Sequence, residues 1–163
     1  MKLDATREIL CLEYLSRHKH PNIINALGFI QDPKKGIILE YADLGTLMDC
    51  DLPLGKDSLI CKKIEEEEVL FPVEDVFSQL ASAVKHLHKH NIIHRDIKPP
   101  NVLLMKQESG LPIVKLSDFG TMCEFNKGNH TIPIQSLGWP RVADSKELLP
   151  KLAKTKFTDI CAL

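Results

Sequence analysis

Apolar residues recur at helical spacing in two stretches of this chain and cluster as strands in several others. In "DATREILCLEYLSRHK" (4–19), Ile9, Leu12 and Leu15 fall on one face and Asp4 or Thr6 can cap the start, so the spacing predicts a helix. "HPNIINALGFI" predicts a turn feeding a strand, and "GIILEY" (36–41) predicts another strand after the turn "QDPKK". Residues 43–71 hold no clean period. Gly45, Pro53, Gly55 and the run Glu65 to Glu68 read as an irregular stretch carrying a solvated acidic surface insert. The strongest signal is "PVEDVFSQLASAVKHLHKHN". Pro72 sits at the first turn, and Glu74 and Asp75 stand where the helix dipole favours negative charge. Val73, Val76, Phe77, Leu80, Val84 and Leu87 line one face. "NVLLM" and "PIVKLS" then predict a hairpin across the polar turn "KQESGL". Residues 121–163 show little periodicity until "KFTDICAL", which reads as the start of a helix.

Composition narrows the class more than it changes the elements. A length of 163 residues, 44% hydrophobic and 26% charged, predicts one globular domain with a sizeable core. A net charge of -1 gives no electrostatic argument for nucleic acid or an anionic membrane, so neither is expected as a partner. The polar start "MKLDATREIL" has no signal-peptide character, and no apolar run approaches a membrane span. Cys11, Cys50, Cys61, Cys123 and Cys161 are odd in number and scattered, without a C-x-x-C pair. They predict reduced thiols and a cytoplasmic or nuclear location. His86, His88 and His90 crowd the end of the second helix, with His94 beyond. Histidines four residues apart can chelate a metal, but no carboxylate or thiol completes a set here. A cationic turn complementing the helix dipole is the plainer reading.

One stretch resists any purely structural reading. "IIHRDIKPPNVLL" (92–104) places His94, Arg95, Asp96, Lys98 and Asn101 between apolar runs, where charged groups are costly unless they pair or work. The hairpin that follows ends at "DFG" (118–120), so Asp96, Asn101 and Asp118 come to the same end of it. Phosphoryl transfer needs such a set. One carboxylate orients the attacking hydroxyl and takes its proton, while a second carboxylate and an amide oxygen hold magnesium against the phosphates. The pattern H-R-D-x-x-x-x-N is met from His94 to Asn101. With "DFG" at this separation, residues 8–120 resemble the central part of a eukaryotic protein kinase domain.

The resemblance implies an α+β fold, a partial protein-kinase-like fold. Residues 1–42 would be the C-terminal part of the small β-rich lobe and the hinge, and 43–163 an incomplete helical lobe with catalytic loop and activation segment. It implies ATP and Mg2+ as cofactors and a protein as substrate. Asp96 would be the catalytic base, Lys98 would steady the transferred phosphate, and Asn101 and Asp118 would bind the metal. "ILEYADLGTL" is similar to the hinge, with Leu39 as gatekeeper and Glu40, Tyr41 and Ala42 offering backbone groups to adenine above Leu103. Glu8 would be the ion-pairing glutamate of the first helix. Arg95 would meet a phosphorylated residue of the activation segment, with Thr131 and Ser136 the better acceptors, and His94 and Phe119 would stack in a hydrophobic spine. Lys98, two residues beyond Asp96, resembles serine/threonine rather than tyrosine kinases.

The chain also departs from the family pattern. No G-x-G-x-x-G loop or V-A-I-K strand precedes the first helix, and Lys2 lies too close to Glu8 to serve as the phosphate lysine. "GWPRVADSKELL" offers Ala143 and Glu147 without the intervening proline of an A-P-E motif, and Trp139 stands where a threonine usually follows the glycine. "TDICAL" resembles the start of the helix whose aspartate, Asp159, braces the catalytic loop. The residues therefore read as about half a kinase domain. Two functions follow: a serine/threonine protein kinase in truncated form, or a catalytically impaired, kinase-like module that binds a kinase or regulatory protein partner.

Overall fold

Helix α1 (Ala5–Arg17) forms over the predicted stretch and buries Cys11, Leu12 and Leu15. These apolar side chains join Ile23, Ile24 and Ala26 in the core, where their removal from water stabilises the docked helix. The next element, β1 (Ala26–Ile30), pairs antiparallel with β2 (Gly36–Leu39), with Ala26 opposite Leu39 and Ile30 opposite Gly36. The structure is a computed structural model that describes residues 5–30, 33, 35–51, 59–64, 67–108 and 110–124. Thr131, Ser136, Trp139, Ala143, Glu147, Asp159 and the "KFTDICAL" helix lie outside the described residues.

Residues 43–71 differ from the irregular insert that the sequence predicts. After a 3-10 turn at Leu47–Asp49, β3 (Leu59–Ile64) and β4 (Glu67–Pro72) form an antiparallel hairpin, from Leu59 opposite Pro72 to Ile64 opposite Glu67. Ile60 and Phe71 face each other and are buried, while Leu59, Lys63, Glu68 and Leu70 are exposed. That is a period-2 pattern of a half-buried hairpin. Lys62 on the buried side and the glutamates near the hairpin tip hid the alternation.

Pro72 stands at the N-cap position of α2 (Val73–Lys89), which buries Val76, Leu80, Ala83, Val84 and Leu87. It packs on β5 (Ile92–Ile93) and on β7 (Ile113–Leu116), which pairs with β6 (Val102–Met105) in the predicted hairpin. β5 pairs with the short β8 (Cys123–Glu124), so the described strands form four two-stranded antiparallel sheets. The loop after α1 is docked on β7 by its backbone. Ile24 N–H donates to the Leu116 carbonyl at 3.0 Å, and Leu116 N–H to the Asn22 carbonyl at 2.9 Å. The buried Asn22 amide donates to Gln79 Oε1 at 2.7 Å and to the Val114 carbonyl at 3.0 Å, joining loop, α2 and β7. No helix among the described residues is long and apolar enough to cross a membrane.

Candidate active site

Helix α2 stops at Lys89, and Asn91 adopts a φ of 57°, the left-handed turn that asparagine tolerates best after glycine. The chain then runs through β5 to His94, which is fully buried. His94 Nε2 lies 2.9 Å from the Ser117 carbonyl, which can only accept, so Nε2 carries the hydrogen. Nδ1 then accepts the Asp96 backbone N–H at 3.3 Å. The ring also meets buried Phe119 edge-on, with centroids 5.0 Å apart. A histidine in this position therefore packs the core and fixes the backbone of Asp96 and Ser117 together.

Asn101 fastens the same two segments a second time. Its amide Nδ2 donates to the Asp96 carbonyl at 2.8 Å and to Asp96 Oδ2 at 3.0 Å. Its own carbonyl accepts the Ser117 N–H at 2.9 Å and the Ser117 hydroxyl at 3.0 Å. Lys98 Nζ stands 2.7 Å from Asp96 Oδ2, a charge-assisted pair inside a partly buried pocket. The Asp96 carboxylate is thus oriented by a lysine and an amide rather than left to rotate.

Arg95 and Asp118 both hold a positive φ, 70° and 62°, a conformation that persists only where the surroundings over-determine it. Here they do. The Arg95 guanidinium donates to the Thr121 carbonyl, and the Thr121 hydroxyl donates to the His94 carbonyl at 3.1 Å. Among the described residues, then, Arg95 holds backbone of the segment after Asp118. Asp118 Oδ1 accepts the Gly120 N–H at 3.2 Å. A Cβ on Gly120 would lie 3.3 Å from Asp118 Oδ1 and 3.9 Å from Glu8 Oε2, which places the α1 carboxylate at the same corner. Burial, and then the negative charge of Asp118, push the Glu8 carboxyl above its ordinary range. Two carboxylates turned toward one corner favour a cation there.

The stretch after β2 is fixed at both ends. Glu40 Oε1 accepts the Asn25 N–H at 2.8 Å and pairs with Lys115 Nζ at 2.7 Å, and the Glu40 N–H donates to the Asn25 carbonyl at 3.0 Å. Further on, Leu44 N–H donates to the Leu104 carbonyl at 3.1 Å and Leu104 N–H to the Gly45 carbonyl at 2.9 Å. Thr46 bridges Leu103. Leu44, Gly45 and Thr46 therefore run beside β6 and its half-buried Leu103, while Leu39, Glu40 and Ala42 precede them in the chain, anchored through Glu40 to Asn25 and Lys115. Sequence reasoning missed Lys115, Asn25 and Ser117. The readable signal was a lysine at an inward position of the apolar strand "PIVKLS". Its side chain is 10% exposed, so Lys115→Met would leave the partly buried Glu40 carboxylate without its cation and with only the Asn25 N–H as a partner. A loss of about 3 kcal/mol is expected in urea unfolding, and Glu40→Gln added to Lys115→Met should restore part of it.

The donor set fits magnesium. With Asn101 Nδ2 committed to Asp96, its Oδ1 is the atom that remains for a metal, and Asp118 supplies a carboxylate. Hard oxygen donors, few in number and completed by phosphates and water, are what Mg2+ takes.

The protein kinase domain family matches residues 2–146. Serine/threonine-protein kinase ksp1 of Schizosaccharomyces pombe is 37% identical over 123 residues, covering 72% of this chain and 24% of that protein. Serine/threonine-protein kinase nekl-2 of Caenorhabditis elegans is 39% identical over 109 residues, covering 65% of this chain and 29% of its own length. Among solved structures, the CAK complex from Chaetomium thermophilum bound to ATP-gamma-S is similar with a TM-score of 0.58 and 31% identity, over 82% of this chain and 38% of that one. The chain spans about a quarter of the length of these curated relatives.

Proposed function

We propose a function from one established premise: this chain belongs to the protein kinase domain family. It serves as the catalytic-loop portion of a serine/threonine kinase that transfers the γ-phosphate of ATP to protein hydroxyls. The observation that supports this reading is the double fastening of Asp96 to Ser117, the residue before Asp118, by His94 and Asn101. Lys98 and Asn101 hold Asp96 Oδ2, leaving Oδ1 to accept the proton of a substrate hydroxyl. Lys98 then offers its charge to the phosphate in transit. Asn101 and Asp118 hold Mg2+, which when bound neutralises phosphate oxygens. Leu39 lines the back of the adenine site, backbone groups of Glu40 and Ala42 meet the ring edge, and Leu103 lies beneath it. Glu8 would pair with a phosphate-facing lysine, for which residues 1–163 hold no candidate at the family's spacing. A protein substrate, a kinase or regulatory protein partner, and a cytoplasmic or nuclear location belong to the same reading.

Within residues 1–163 there is no glycine-rich loop to cover the phosphates and no lysine at the family's spacing from Glu8. Each charge-assisted contact so forgone is worth about 1.5–3 kcal/mol. Isothermal calorimetry of this chain alone should therefore give a Kd for Mg-ATP weaker than micromolar; micromolar or tighter binding would refute this account of where the affinity comes from. The function itself is tested by joining the chain to the glycine-rich strands of a related kinase and following radiolabel from ATP to a generic basic protein. Phosphoserine or phosphothreonine is expected. Nucleotide binding without transfer would favour the kinase-like binding module instead.

A further inference from the structure

The helix ends α1 and α2 meet in a cluster of imidazoles that phosphoryl transfer does not use. His18 and His90 have ring centroids 4.7 Å apart, His86 and His90 4.7 Å, and His20 and His86 4.8 Å. Tyr14 stacks on His18 at 4.3 Å, and its hydroxyl lies 2.9 Å from His90 Nδ1. His86 Nε2 donates across the junction to the His18 carbonyl at 2.8 Å, and His20 Nε2 lies 3.2 Å from the Ser82 hydroxyl on α2. These contacts join the end of α1 to α2 ring by ring. Among the described residues no set of three histidine, cysteine or acidic side chains has the geometry to hold a metal, so the rings serve the junction itself.

We propose that His18, His20, His86 and His90 form a proton-sensitive latch that holds the C-terminal end of α1 against α2 and opens as the pH falls below neutral. His20 Nδ1 accepts the Asn22 backbone N–H at 3.2 Å, so a proton on that nitrogen turns an acceptor into a donor facing a donor. That bond anchors the loop whose buried Asn22 is tied to Gln79 and β7. Protonation elsewhere in the cluster places like charges about 5 Å apart. The surrounding charged groups do little to offset this. Glu13 and Arg17 lie on α1, Lys19 in the loop, and Lys85, His88 and Lys89 on α2, while Lys115 on β7 has Glu40 as its own partner. The groups acting on His20 are His86 and Lys115, and those on His90 are His86, His18 and Lys89; all are cationic when charged. Carbonyls at the end of α2 favour one positive charge, not several.

Burial first, and then these neighbours, lower the affinity of His20 and His90 for protons below the ordinary value of 6.5. The unfolded or undocked chain then binds more protons than the latched one. The latch contributes fully above about pH 6.5 and is lost as the pH falls through the lowered range. Because α1 also carries Glu8, opening would withdraw that carboxylate from the corner shared with Asp118.

Hydrogen exchange on the intact 163-residue chain, read by NMR in the presence of a chelator, tests this. Between pH 7.5 and 5.5, amides of residues 12–17 should lose protection several-fold after correction for intrinsic exchange. Amides of α2 and β7 should change less. His86→Gln with His90→Gln should flatten the α1 response. Should that variant fail to fold, imidazole titration of the unmodified chain decides, with His20 and His90 expected below 6.5. Equal loss across α1, α2 and β7, an unchanged α1, or ordinary titration of both rings would overturn the latch.

Discussion

Asp96→Asn is expected to lower phosphoryl transfer by about 100-fold or more, because it removes the proton acceptor and keeps the shape. Asparagine still offers an oxygen to Lys98 Nζ, which lies 2.7 Å from Asp96 Oδ2, and leaves the Asn101 bond to the residue-96 carbonyl intact. The effect should therefore fall on kcat, with the KM for ATP nearly unchanged, since the adenine and metal contacts proposed above lie at other residues. Steady-state assay of the chain joined to glycine-rich strands checks this. A loss under tenfold, or one confined to KM, would mean that Asp96 is not the base.

Asp118→Asn should also cost about 100-fold or more in turnover, by a different route. It weakens metal binding, and a bound metal is worth several kcal/mol of transition-state charge stabilisation. Activity lost in this variant should return in part at high Mg2+ concentration, which Asp96→Asn cannot do. The variant also reads out Glu8. The raised pKa of Glu8 means that the folded chain favours its protonated form, so the contribution of this group is full below about pH 4.5 and declines as the pH rises. Removing the Asp118 charge removes the second cause of that shift. The metal-free variant should lose less stability than the parent between pH 4.5 and neutrality, measured by thermal melts across that range.

Local rules made much of this fold legible. The face of α2 reads directly from Val76, Leu80, Val84 and Leu87, because one amphipathic stripe needs one apolar partner and finds it in β5 and β7. The β6–β7 hairpin is equally local, set by two apolar runs and a polar turn. The β3–β4 hairpin was not legible: Lys62 occupies its buried side, close to Asp49 at 3.8 Å, and breaks the alternation that marks a strand. Asp96, Asn101 and Asp118 were readable as a group because their spacing is tied to a reaction. Lys115, Asn25 and Ser117 were not, since their partners are up to 75 residues away in sequence and no local period encodes such a meeting. The histidines were visible at the end of α2, but their counterparts His18 and His20 become neighbours only when α1 docks.

The central claim is that Asn101 and Asp118 hold the metal of a nucleotide whose base lies along residues 39–42. Paramagnetic broadening by Mn2+-ATP, followed by NMR on the 163-residue chain, tests it most directly and tolerates weak binding. The account predicts selective loss of signal from the Asn101 side-chain amide and from the backbone amides of residues 118–121, with smaller shifts at Glu40 and Ala42. Both effects should vanish in Asp118→Asn. Broadening centred on the histidine cluster or the acidic hairpin tip, or none at millimolar Mn2+-ATP, would contradict it.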